Sequence, residues 1–435
     1  MVTQRLYRIL GVCLVILAAA ATPALAEREW EFKPTAGTEM IYNSNVRFND
    51  NTGADQTQDD AISRVNLSLP LLRTWRKGSM LLAYNPGYER FWTEREFDNV
   101  VHQVNASISA NPSFRSAFSL SMSYLDSQEQ GLVRNLELDD QDPDPFVSQR
   151  TERKLFDATL GYTQDLGTRW RLSTSVNGLR SSFDQIDDEE ATTPTDPALV
   201  GLQTEDREGY GGAVGLSLLT RDGSSYGLRF GYQEFDLDIR GDGEIQSVAF
   251  TMDTDVGRTG SVSLRVGGFF RDFNNLVVDP NDPMAAPMLV SGEEDGLQVS
   301  FTAENTWQKV IMRLRADRRA SLGGAIEGTS VNTILGFVLA SNNSLVWNWN
   351  TTARWALRDP TDPPEGATGL QPEVTTYAIG GSLSRSLGRY TDLSLRADYI
   401  DQTAEGVLLT SDLVGDASFY SVSTGFIFYL KGKEE

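Results

Sequence analysis

Apolar and polar residues alternate with a period of two along most of this chain. Between Asn332 and Trp355 the apolar positions are Leu335, Phe337 and Leu339, then Leu345, Trp347, Trp349 and Trp355, with Ser341-Asn342-Asn343-Ser344 between the two runs. In a strand, successive side chains point to opposite faces, so this stretch predicts a hairpin with one apolar and one polar face. The same rhythm recurs at Val65/Leu67/Leu69/Leu71, Phe118/Leu120/Met122/Tyr124, Tyr226/Leu228/Phe230/Tyr232 and Leu393/Leu395/Ala397/Tyr399. Continued from Trp30 to Leu430, it gives about eighteen strands.

The predicted connections alternate in length. Short ones such as "RTWRKG", "QDLGTR" and "TRDGSS" carry the Gly, Asp and Ser of tight hairpins. The others, 43–60, 125–151, 182–208, 272–295, 358–373 and 402–417, are long and acidic. Short turns at one end, long loops at the other and an even strand number describe an all-β fold, a transmembrane antiparallel up-and-down β-barrel. Hydrocarbon leaves no partner for an unpaired N–H or C=O, so the first and last strands must close on each other. Aromatic residues sit at both ends of the apolar faces. Trp30, Trp170, Tyr226 and Trp307 lie at the short-turn ends; Tyr42, Tyr88, Tyr124, Tyr232, Trp355 and Tyr399 lie at the long-loop ends. Two such levels predict an aromatic girdle at each membrane–water interface.

Composition narrows the function. The chain has 435 residues and a net charge of −22, with Lys+Arg 38 against Asp+Glu 60. An acidic balance without clustered Lys/Arg excludes nucleic acid as a partner. Arg5 and Arg8 precede the run "ILGVCLVILAAAATP", and Ala24-Leu25-Ala26 has the small residues of a cleavage site. Residues 1–26 therefore read as a secretory signal peptide and residues 27–435 as the barrel. Beyond residue 26 no apolar run approaches the roughly 20 residues that a membrane-spanning helix needs. Removing the signal peptide removes the only cysteine, Cys13, and leaves a single histidine, His102. With no Cys–His pair, metal-ligand cluster or nucleophile motif, the chain reads as a non-enzyme with no metal and no cofactor.

The polar face of an eighteen-stranded barrel surrounds an interior too wide for side chains to fill. Its lumen-lining candidates are Arg64, Arg171, Arg229, Arg265, Arg313, Arg315, Arg354 and Arg396, with Glu89 and Glu304. Arginines on several strands suit the carboxylates or sulfates of a passing solute, or brace the lumen by pairing with its acids. Phe91 and Phe269 are also placed to point inward. Loop 125–151 is long enough to fold into the mouth. Asp140, Asp142 and Asp144 have a calcium-like spacing, but Pro143 and Pro145 intervene. Asp187-Asp188-Glu189-Glu190 and Glu293-Glu294-Asp295 read as solvated loop charge.

In "PTAGTEMIYNSNVRFND", Ala36-Gly37 leads into Tyr42-Asn43-Ser44-Asn45. This opening resembles that of a family of outer-membrane β-barrel porins associated with exopolysaccharide export. The last strand, "FYSVSTGFIFYL", resembles the terminal recognition signal of outer-membrane proteins, although "KGKEE" follows it. The resemblance implies a pore in the bacterial outer membrane, set in lipid and lipopolysaccharide, that serves polysaccharide export with a periplasmic export protein. It carries over no catalytic residues. Two other roles remain open: a trimeric diffusion porin for small solutes, and a plugged structural or adhesive barrel acting through its acidic loops.

Overall fold

The computed structural model describes residues 29–45, 59–129, 151–185, 206–237, 241–278, 288–322, 329–341, 347–360, 368–369, 373–405 and 416–430. Twenty strand segments fill almost all of them. In order they are β1 (Glu29–Phe32), β2 (Thr35–Asn43), β3 (Asp60–Trp75), β4 (Gly78–Phe91), β5 (Asn99–Ser113), β6 (Ser116–Glu129) and β7 (Thr151–Leu166). Next come β8 (Trp170–Gln185), β9 (Arg207–Leu219), β10 (Ser225–Leu237), β11 (Gly241–Val256), β12 (Gly260–Val278) and β13 (Met288–Trp307). Then follow β14 (Val310–Leu322), β15 (Thr329–Ser341), β16 (Trp347–Pro360), β17 (Thr368–Gly369), β18 (Glu373–Ser386), β19 (Thr391–Glu405) and β20 (Ala417–Tyr429).

These segments make eighteen barrel strands. β1 and β2 both pair with β3 in one unbroken register, Phe32 opposite Leu71 and Thr35 opposite Ser68, so they form one strand. The interruption falls at Lys33-Pro34, where proline has no N–H to give to a ladder. β17 is a two-residue piece paired with the end of β12, so β16 is followed in the wall by β18. Every neighbouring pair is antiparallel, and β2 pairs with β20 from Thr35–Tyr429 to Asn43–Ser421, closing the sheet. Ser44 and Tyr420 extend this seam with a 3.1 Å backbone bond and a 2.9 Å bond to Ser44 Oγ. Closure leaves the membrane-height wall without an edge, as expected.

The alternation of connection lengths is looser than the sequence suggested. At the long-loop end the connections 92–98, 238–240 and 323–328 are short. The expected loop 272–295 is largely strand, because β12 runs to Val278 and β13 begins at Met288. This hairpin outruns its neighbour: β13 pairs with β14 only from Val299–Arg318 downward, while β12 and β13 pair up to Val277–Met288. Above Val299 the wall therefore opens between β13 and β14.

Candidate functional site: the barrel interior

Contacts that skip a strand are possible only on the concave side of a closed sheet, and they identify the interior. Arg229 on β10 donates to Ser175 Oγ on β8 at 3.2 Å, across β9. Arg271 on β12 donates to the Ser330 carbonyl on β15 at 2.9 Å, across β13 and β14. Residues of that parity are the polar set, and directly opposed residues share a face. The register puts all ten lumen-lining candidates on it: Arg64, Glu89, Arg171, Arg229, Arg265, Glu304, Arg313, Arg315, Arg354 and Arg396.

The opposite, outer face is apolar and uncovered. Val65, Leu82, Val176, Leu228, Phe250, Leu335, Ile379 and Val422 are all exposed there. Leaving such side chains in water forgoes roughly 1.5–3 kcal/mol each, so this surface is built for hydrocarbon. Trp30, Trp170 and Trp307 are exposed at the short-turn level, and Tyr42, Tyr88, Tyr232 and Tyr399 at the other; Tyr124 and Trp355 are partly covered. At the upper level the hydroxyls donate to carboxylates: Tyr42 to Asp59 at 2.9 Å, Tyr88 to Asp98 at 3.2 Å, Tyr124 to Asp126 at 3.1 Å and Tyr232 to Glu234 at 2.9 Å. Each ring thus has an apolar body below and a charged, wet partner above. His102 also lies on the outer face, its Nδ1 2.9 Å from the Tyr84 hydroxyl.

Inside, charge is distributed unevenly. From β13 round to β4, Arg313, Arg315, Arg396 and Arg64 are ion-paired. Arg313 meets Glu304 at 2.7 Å, Arg315 meets Asp317 at 3.4 Å, Arg396 meets Asp398 at 2.6 Å, and Arg64 bridges Glu89 at 2.7 Å and Glu39 at 3.2 Å. Glu39 and Asp317 are partners that sequence reading missed: Glu39 lies beside Arg64 only through the β2–β3 register, whereas Asp317 follows Arg315 by two residues on the same face of β14. From β5 to β12 the inner wall is instead a low carpet of serine, threonine and glycine. Ser109, Ser119, Gly161, Ser175, Ala213 and Gly231 lie opposite one another in succession across six strands. Two recesses of about 230 and 290 Å³ open from this wall, and Arg229 and Ser173 line both. Arg171 and Arg265 line the first. Arg171 is held by Asp165 at 2.7 Å.

Two apolar clusters narrow the long-loop mouth. In the first, Ile41, Ile62 and Phe91 pack with Phe97, whose ring meets Phe91 edge-on at 5.8 Å. Phe97 belongs to a 3-10 turn, Arg95–Phe97, that folds inward over the buried carboxylate of Asp60. Asp60 accepts from the backbone N–H groups of Ala61 at 2.7 Å, Thr93 at 3.1 Å and Glu94 at 3.0 Å. In the second, Phe235, Ile245, Phe269 and Phe273 take Val331 of β15 and Ala320 of β14. Val331 and Ala320 have the outer-face parity of their own strands, yet they pack on the inner face of β10–β12. The top of the β14–β15 pair therefore turns into the mouth, beneath the splayed β12–β13 hairpin. Arg271 fastens it there. It is 0 % exposed and ion-pairs with Glu294, with its guanidinium 5.1 Å from the Phe273 ring centre and 6.0 Å from that of Phe269. Phe91 and Phe269 thus point inward as expected, but as the cores of packed clusters. Glu294, expected as loop charge, is the strand partner of a buried arginine.

No family model matches this chain, and no curated protein is similar to it in sequence. Solved structures that resemble it are barrels at the limit of recognisable likeness. The outer membrane protein OpdK from Pseudomonas aeruginosa is 10% identical, with a TM-score of 0.41 over 92% of this chain and 99% of its own. OccAB3 from Acinetobacter baumannii is 10% identical, with a TM-score of 0.44 over 92% of this chain and 100% of its own. The unliganded ferric citrate transporter FecA is 10% identical, with a TM-score of 0.42 over 87% of this chain; the match spans only 62% of FecA.

Loop residues 130–150 with Asp140, Asp142 and Asp144, and the acidic run 187–190, lie outside the described residues. Among the described residues no group of three or more acidic, His or Cys side chains could hold a metal ion.

Proposed function

We propose that this protein is a diffusion pore for small polar solutes in the bacterial outer membrane, surrounded by lipid and lipopolysaccharide and exported through the signal peptide at residues 1–26. One observation carries the reading. A closed sheet of eighteen strands has an apolar, uncovered outer face and a polar inner face lined with hydroxyls and ion pairs. Such a wall separates hydrocarbon from an aqueous lumen, and eighteen strands make that lumen too wide for side chains to fill. The inward-folded segments at the mouth make it narrower there, which favours small solutes over an extended polymer. The polysaccharide-export reading and its periplasmic partner draw no support from the comparisons. The work of such a pore is selection by size and charge, with no covalent step.

Liposome swelling tests this. The refolded full-length protein, verified by its heat-modifiable mobility, is placed in vesicles and challenged with neutral sugars of increasing size. Swelling that slows as sugar size rises is expected. An absence of swelling for every sugar, with the barrel folded, would overturn the reading in favour of a closed structural barrel.

A further inference from the structure

Two arginines in the lumen wall lack what the paired ones have. Among the described residues, Arg64, Arg171, Arg313, Arg315 and Arg396 each hold a carboxylate. Arg229 touches only the Ser175 hydroxyl, at 3.2 Å, and Arg265 faces Thr251 and Ser300 across its ladders. Both line the same recess of about 230 Å³. They stand on β10 and β12, separated by the single strand β11, hence with backbones about 10 Å apart. The acid in that recess, Asp253, is turned to other groups: it accepts from Ser225 Oγ at 3.3 Å and from Ser263 Oγ. Arg229 is flanked in register by Gly215 and Ala249, so no long side chain shields its guanidinium. In a chain of net charge −22, this is two like charges in one recess that, among the described residues, hold no carboxylate in an ion pair.

We propose that Arg229 and Arg265 form a subsite for the carboxylate group of solutes in transit, a deepening that rests on the pore reading above. The guanidinium fork matches a planar carboxylate, and the low-dielectric wall behind it strengthens the attraction. A bound oxyanion would offset the repulsion between the two cations. Serine and threonine hydroxyls on either side suit the hydroxyls of a sugar acid or hydroxy acid. A recess of about 230 Å³ holds one such unit, so the site grips a group rather than a whole chain.

The test uses the refolded full-length protein in planar bilayers, with galacturonate, an oligogalacturonide and uncharged galactose as probes. Block of the conductance by galacturonate or the oligomer, but not by galactose, is expected. Block by the monomer identifies small acids as sufficient; block by the oligomer alone points to an acidic polymer. Combining Arg229→Gln with Arg265→Gln should weaken block roughly tenfold or more, the scale of a charge-assisted bond, and shift the reversal potential toward cations. Arg385→Gln, whose guanidinium lies over Trp347 on the outer face, should change neither. Conductance with block unaltered in the double variant would overturn the subsite and leave the pore. A folded but silent barrel would overturn the pore. Calorimetric binding of galacturonate to that barrel in detergent, lost in the double variant, would then keep the subsite, and no binding would end both.

Discussion

Replacing Arg271 with Met should release the β14–β15 hairpin top from the barrel mouth while leaving the barrel folded. Met is close in length and apolar, so it fills the slot between Phe269 and Phe273 without the charge. What it removes can be counted. The Ser330 carbonyl loses a 2.9 Å donor at a position where Ser330 is 1% exposed. An orphaned buried acceptor costs about 1–3 kcal/mol. The bond to Glu294 is charge-assisted, but the Glu294 side chain is 28% exposed and can rehydrate, so we assign it only about 1 kcal/mol. The two ring contacts add about 1 kcal/mol, partly recovered by Met on the same rings. The net is about 3 kcal/mol, or roughly a hundredfold in the local opening equilibrium. Amide hydrogen exchange by mass spectrometry on peptides covering 319–333 reads this directly, because a local opening speeds exchange there and spares the distant wall. Glu294→Gln should give a smaller effect, since it leaves the Ser330 bond intact. Exchange unchanged at 319–333, or raised equally around the whole barrel, would refute a local latch.

Two further outcomes follow from the wall and the turns. A Cβ at position 267 would sit 2.0 Å from the Val248 carbonyl oxygen and 2.5 Å from the Ala249 Cα, backbone that cannot rotate away. Gly267→Ala should therefore cost about 1–3 kcal/mol in guanidinium unfolding followed by Trp fluorescence. Gly161→Ala, which meets only the rotatable Ser119 hydroxyl at 2.6 Å, should stay within about 0.5 kcal/mol, and equal losses at both sites would be the wrong result. In the aqueous turn between β9 and β10, the Thr220 hydroxyl and then the Ser224 backbone N–H hold the Asp222 carboxyl below its usual 3.8. A depressed folded value means the turn gains stability above pH 3.8 and loses it as pH falls through the lower folded value. Exchange in the 220–224 turn, corrected for intrinsic rate, should rise between about pH 4 and 2. Asp222→Asn should flatten that profile, and an unchanged profile would reject the assignment.

How much of this was legible beforehand depends on the range of the interactions involved. Val65, Leu67 and Leu69 alternating with Arg64, Asn66 and Ser68 are neighbours along one strand, and the pleat alone assigns their faces. The two-faced strands, their number and the inward arginines needed nothing beyond this period. Arg64 could be placed inside, yet its partner Glu39 could not, because Glu39 reaches it only through the β2–β3 register. The extent of β12 and β13 was missed because Glu293-Glu294-Asp295 looks like solvent-facing loop, and only Arg271 on the opposing strand makes the middle charge tolerable there.

The sequence by itself determined an antiparallel, up-and-down barrel, because alternation and turn chemistry are local and closure is forced by hydrogen-bond accounting in hydrocarbon. Only the tertiary structure decided how the interior is arranged. Whereas Arg315–Asp317 and Arg396–Asp398 pair two residues apart on one strand, it is cross-strand register that sets Arg64 against Glu39 and Glu89, and Arg229 and Arg265 against only small or hydroxyl residues. That the top of β14–β15 turns inward follows from a ladder that stops at Val299–Arg318 and from a buried arginine that spans two strands. Both depend on distances across the barrel, and a period along one strand carries no information about them.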